Sequence, residues 1–103
     1  MTQYKVRIVV KEIVGTCDIG YKVGDKIDLE KYYVREKQEC RICLHALVGI
    51  STLLIPFMKG VSAKALGIGK EDDIGYIHCP DPGKPYTEGG TVLFELKREK
   101  VEE

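Results

Sequence analysis

From Ile42 to Met58 the chain carries no formally charged side chain, although Arg41 and Lys59 bracket the run. Such a stretch cannot lie on a polar surface around its whole circumference, so the rest of the chain must give it something to be buried against. Within it Ile42, Ala46, Ile50, Leu53 and Phe57 recur at spacings of three and four, flanked by Cys43, Leu47 and Leu54, which is the period of one helical face. The spacing predicts a principal helix from about Glu39. Pro56 has no amide hydrogen and crowds the preceding turn, so the helix is expected to kink or end near Ile55, with Gly60 closing the segment. As a membrane span it is too short: at ~1.5 Å per residue it reaches about 25 Å against a hydrocarbon core of ~30 Å, and it includes His45, Ser51, Thr52 and Pro56. Leu44, Val48 and Ile55 lie off the main stripe.

The flanking segments offer a sheet. Tyr4, Val6, Ile8 and Val10 alternate with Lys5, Arg7 and Lys11, a period of two that predicts a strand with one solvated face. Gly15 to Gly24 interrupts it, and Ile27-Asp28-Leu29 resumes as a short second strand. Ser62 is placed to cap a short helix through Leu66, which Gly67-Ile68-Gly69 breaks. A short strand is expected from Ile74 to Cys79, a Pro- and Gly-rich loop over residues 80–90, and a last strand through Val92, Phe94 and Leu96. The mixed charges from Arg98 onward are expected to fray. The order gives an α+β fold, a small antiparallel or mixed β-sheet covered by one main helix. With 103 residues and no linker, it forms a single domain, 1–103. A domain this small has one sheet to lay against one side of the helix, so a homo-oligomer, most simply a two-fold dimer, is expected to cover the other.

Charge narrows the partners. Sixteen Lys and Arg balance sixteen Asp and Glu, which leaves no basic field of the kind that holds nucleic acid. The first residues run directly into the strand pattern without an apolar leader, so the expected location is cytoplasmic. There, four cysteines are more often thiols or metal ligands than a disulfide framework. The chain also has no Asn, and 31% of its residues are charged; this tilt is common in proteins from hot environments, where intracellular disulfides do occur.

The cysteines are the pointed chemistry. Cys40-Arg41-Ile42-Cys43 is a C-x-x-C at the expected start of the helix, where two sulfurs can reach one metal and free amides favour a thiolate. Cys17 in the first long turn and Cys79 at the end of a strand complete a candidate four-ligand set for zinc, and an iron–sulfur site would use the same residues. The other readings are a redox or nucleophilic thiol, and cysteines that simply pack as small apolar side chains. A thioredoxin-like unit is disfavoured because Lys31–Glu39 is charged and Tyr-rich where that unit needs a strand. His45 and His78 form no local dyad with a cysteine. Gly67-Ile68-Gly69-Lys70 lacks the glycine and the Ser or Thr of a phosphate loop, and Asp25, Asp28, Asp72 and Asp73 read as turn and surface residues. Cys79-Pro80-Asp81-Pro82-Gly83 reads as a stiff turn that fixes a sulfur. With Cys43 on the apolar stripe and Cys40 at the helix start, Cys43→Ser is expected to destabilise more than Cys40→Ser.

Cys17 with Gly20-Tyr21-Lys22-Val23-Gly24-Asp25, then Ile42-Cys43-Leu44-His45-Ala46-Leu47, then Cys79-Pro80-Asp81-Pro82-Gly83 with Val92-Leu93-Phe94-Glu95-Leu96, together resemble a family of small conserved prokaryotic proteins of unknown function. The resemblance spans nearly the whole chain. It draws attention to Cys17, Cys43 and Cys79, leaves Cys40 as an additional cysteine, and implies no particular reaction. Relatives often have Pro-Trp after the helix cysteine; Leu44-His45 stands here, so an aromatic stacking role is not carried over.

Overall fold

The computed structural model describes residues 3–101. Strands β1 (Gln3–Val14), β2 (Lys26–Glu30), β3 (Tyr33–Val34), β4 (Ile74–His78) and β5 (Thr91–Val101) and helix α1 (Leu44–Met58) follow in the order β1-β2-β3-α1-β4-β5. The strands form one antiparallel sheet in the order β3-β2-β1-β5-β4. The α+β architecture read from the sequence is the one observed.

Alternation decides the two faces. Val6, Ile8 and Val10 of β1, Ile27 and Leu29 of β2, and Val92, Phe94 and Leu96 of β5 are buried on one face, and Ala46, Ile50, Leu54 and Phe57 of α1 lie in the same core. The other face is charged and braced across strands. Arg7 donates to Asp28 at 2.8 Å, and Lys11 and Lys97 each stand 3.5 Å from the Glu95 carboxylate, which also accepts the Tyr76 hydroxyl at 3.1 Å. Burial alone pushes the Glu95 carboxyl up, but the Tyr76 hydrogen bond and the two ammonium groups outweigh it and hold it below its ordinary value.

A bulge in β1 shifts the pattern. Val10 faces Phe94 and Glu12 faces Leu93, so Lys11 has no opposite residue, and Ile13 then pairs with buried Val92 and packs on the core. The extra residue moves inward positions from even to odd numbers.

The helix differs from expectation at both ends. It starts at Leu44, five residues after Glu39, because Cys43 is extended (φ −79°, ψ 113°) and acts as its N-cap. It continues past Ile55 with Pro56 in its last turn and stops at Met58. Gly60, at φ 102°, turns the chain out while its amide donates to Phe57 O at 3.2 Å and that of Val61 to Pro56 O at 3.0 Å. This pair of bonds satisfies the last carbonyls, so the ending is set by the glycine rather than by the proline.

Two further expectations are corrected. Residues 62–67 make a single turn, with Ser62 Oγ accepting from the Ala65 amide at 3.3 Å, and no helix follows. The segment from Arg98 does not fray within the described residues: β5 runs to Val101, with Arg98 opposite Val6 and Lys100 opposite Tyr4. Arg98 faces inward, its side chain 3% exposed. Its guanidinium lies over the rings of Tyr4 and Phe57 at 4.8 and 4.5 Å and donates to Phe57 O and Val61 O at 2.7 and 2.6 Å and to Asp73 at 2.9 Å. A cation from the strand thereby holds the carbonyl end of the helix.

Candidate functional site

Three segments far apart in sequence meet at the N-terminal end of α1. Cys17 comes from the loop between β1 and β2, Cys43 from the helix cap, and Cys79 from the end of β4; all three line one cavity of about 80 Å³, with Tyr21, His45 and Asp81. That volume suits a few waters or a very small ligand. A larger hollow of about 520 Å³ lies on the outer sheet face among Lys5, Arg7, Asp28, Lys97 and Glu99; its lining is mainly basic and contains no thiol.

Each sulfur is held differently. Cys43 Sγ accepts the Ala46 amide at 3.4 Å, the place a Ser or Asp side chain takes at most helix starts. The Cys43 amide donates to the Tyr21 hydroxyl at 2.9 Å. Among the described residues the next two amides, of Leu44 and His45, have no acceptor, as the first turn of a helix requires. Cys79 is buried; its sulfur accepts the Val92 amide at 3.2 Å and its thiol points to Gly90 O at 3.8 Å. Cys17 is half-buried and makes no side-chain hydrogen bond among the described residues.

Tyr21 is the hub that the sequence reading missed. It is 7% exposed and sets its ring edge-on to Phe94, centroids 5.9 Å apart. Burial pushes its hydroxyl up to about 12, the Cys43 amide pulls the other way, and the thiols of Cys40, Cys43 and Cys17 lie close enough to reinforce the rise when charged. The hydroxyl therefore stays protonated. It takes one hydrogen bond and keeps its own proton to give. The signal available in the sequence was a large aromatic between two glycines, in a turn where solvated residues are the rule.

The loop after Cys79 is built around Asp81. Its carboxylate accepts the Thr87 hydroxyl and, at 2.8 Å, the Gly83 amide, while its carbonyl accepts the Thr91 hydroxyl at 2.7 Å. Those bonds, then His45, hold the Asp81 carboxyl below its ordinary value. Its contribution is present while the carboxylate is charged and is lost as pH falls through its lowered pKa. The stiff turn expected around Pro80 and Pro82 is thus tied mainly by the aspartate between them. His78 lies on the exposed side, Nδ1 2.7 Å from the Cys79 carbonyl.

The four-cysteine set is not assembled. All four are free thiols, and among the described residues no three His, Cys, Asp or Glu side chains are grouped to hold one metal ion. Cys40 does not line the cavity, and no helical turn joins it to Cys43; its thiol donates to Lys26 O at 3.4 Å, and burial, then Asp25, pushes it up. Among the described residues the arrangement therefore holds no ligand set for zinc or an iron–sulfur cluster, and Cys17, Cys43 and Cys79 remain as thiols lining one cavity.

The cap changes the expected effect of Cys43→Ser. A serine hydroxyl is among the best N-caps, so Cys43→Ser should melt close to the parent, whereas Cys43→Ala should lose about 1 kcal/mol with the cap. Urea unfolding of both checks this, and a loss for Ser as large as for Ala would show that the sulfur is held by packing alone. No family model, curated protein or solved structure matches the chain.

Proposed function

We propose that this is a small cytoplasmic thiol protein whose reactive centre is the cavity at the start of α1, with Cys43 as the reacting sulfur. The observation that carries the reading is the convergence of Cys17, Cys43 and Cys79 on that one cavity. Cys43 is the member placed at the helix cap, with two unpaired amides beside it to receive charge that develops on a bound electrophile. Cys79 is committed to the backbone of β5, and Cys40, though near Tyr21, does not line the cavity and gives its thiol to Lys26 O.

Timed alkylation with iodoacetamide, followed by peptide mapping, tests this. In the native protein Cys43 should react first and Cys17 next, with Cys40 slower because its thiol is pushed up and Cys79, which is buried, protected until urea unfolds the chain. Equal rates at all four, or no reaction before unfolding, would instead favour an accessory module whose cysteines are packing residues.

A second copy of the chain is the partner favoured by the outer face of the helix. Leu44, Val48 and Ile55 are 73%, 63% and 51% exposed, and they share the side of α1 opposite the core. Two copies can cross there without burying a charge. Light scattering should give a dimer mass, and Val48→Lys should give a monomer of unchanged fold; a monomer near 11.6 kDa for the unmodified protein at every concentration would reject the dimer. No helix is long and apolar enough to cross a membrane among the described residues.

A further inference from the structure

We infer that the cavity is a site for a small hydroperoxide, which oxidises Cys43 and leaves it joined to Cys17 as a disulfide. The inference rests on the thiol reading above and names its substrate class. Three features point to it. At about 80 Å³ the cavity admits a few heavy atoms and excludes a bulky electrophile. Its two carboxylates, Asp81 and the exposed Asp18, are faced by a single histidine, His45, a balance that disfavours an anionic substrate but not a neutral one. Finally, Tyr21 is more than nine-tenths buried and lines the cavity, its oxygen occupied by the Cys43 amide and its proton without an acceptor among the described residues. A buried donor beside a sulfur suits a reaction in which an oxygen leaves with charge.

The Cys43 sulfur attacks one oxygen of ROOH; an S–O bond forms, the O–O bond breaks, sulfur is oxidised to sulfenic acid and the peroxide is reduced to ROH, the thiol proton ending on the departing oxygen. The Tyr21 hydroxyl donates a hydrogen bond to that oxygen as it leaves and keeps its proton. The Cys17 thiol then attacks the sulfenic sulfur; an S–S bond forms, the S–O bond breaks, and water leaves with the Cys17 proton. Cys17 takes this role because its sulfur has no hydrogen bond to give up, whereas Cys79 is buried and bonded at both its lone pair and its thiol. Tyr21, which touches the departing oxygen, acts here as a catalytic residue.

The test uses the reduced full chain and hydrogen peroxide under anaerobic conditions. The expected product is lighter by two hydrogens, peptide mapping joins Cys17 to Cys43, and the native chain reacts at least ~10-fold faster than the urea-unfolded one. Cys17→Ser should stop at a sulfenic acid that a 1,3-diketone traps on Cys43. Tyr21→Phe should slow the peroxide reaction roughly tenfold more than it slows iodoacetamide modification of Cys43, the worth of one hydrogen bond to a charged oxygen, the alkylation rate reading whatever the lost bond to the Cys43 amide does to the cap itself. Native oxidation no faster than that of the unfolded chain, or a disulfide joining Cys43 to Cys40 or Cys79, would overturn the inference, and the unmodified chain suffices for both readouts. If iodoacetamide still selects Cys43 while peroxide does not, the peroxide site falls and the thiol reading stands. Loss of both selectivities rejects both.

Discussion

Replacing Arg98 by Met will lower the free energy of unfolding by about 3 kcal/mol, because the buried guanidinium makes two charge-assisted hydrogen bonds, to the helix carbonyl of Phe57 and to that of Val61 just beyond the helix, and lies over two aromatic rings. Methionine keeps much of the apolar stem and removes the donors, so Phe57 O and Val61 O lose their partner on the strand. The ion pair with Asp73 contributes little, since that carboxylate is 65% exposed, and Asp73→Asn should cost less than ~1 kcal/mol. For a domain of this size the Arg98 variant should melt roughly 10–20 °C below the parent. A loss within ~1 kcal/mol of the Asp73 variant would show that the helix end is held by packing alone.

Gly90→Ala should be comparably damaging and should also disturb the thiol site. A Cβ on buried Gly90 would stand 2.6 Å from the Thr16 amide and 2.7 Å from Gly15 C, and would press on Val14 O. All three are backbone atoms and cannot rotate away, so the crossing of the two loops must open. The expected cost is about 3 kcal/mol, at the upper end for an overpacked position. Since Gly90 O faces the Cys79 thiol and Thr16 precedes Cys17, iodoacetamide should begin to reach Cys79 in the native variant. Gly24→Ala is the control: its φ is +97° but nothing lies within 4 Å of the added carbon, so only backbone strain of roughly 1 kcal/mol is expected. Equal losses in the two variants would contradict the close crossing.

These two positions show where sequence reading runs out. Strand β1, the core half of α1 and the last strand were legible because alternation and helical spacing are local properties of the chain. Arg98 read as part of a solvated, charged tail, since what makes it a core residue is its place opposite Val6 on β1, a pairing across nearly the whole chain. The helix start was misplaced because apolar spacing continued back through Cys43, and a cysteine acting as the cap carries none of the usual Ser, Thr, Asp or Asn signal. For the site, the cysteines marked the region: Cys17, Cys43 and Cys79 line one cavity. Cys40 does not line it, because the C-x-x-C spacing brings sulfurs together only if the intervening backbone makes a helical turn, and here the helix starts after Cys43. Tyr21 was invisible as a site residue because its value comes from burial that three other segments supply.

The position of β5 between β1 and β4 has a consequence for how the protein comes into being. The β1–β2 hairpin can form as soon as residues 3–30 are available, but the floor on which α1 rests includes Phe94 and Leu96, and the clamp on its far end is Arg98. A nascent chain therefore exposes the uncharged helix until the segment beyond residue 90 has been synthesised. Pairings of such long sequence separation are slow to close, and the interval leaves apolar surface open to self-association. Yield at high expression rates should therefore be limited by the arrival of β5 rather than by the stability of the finished fold.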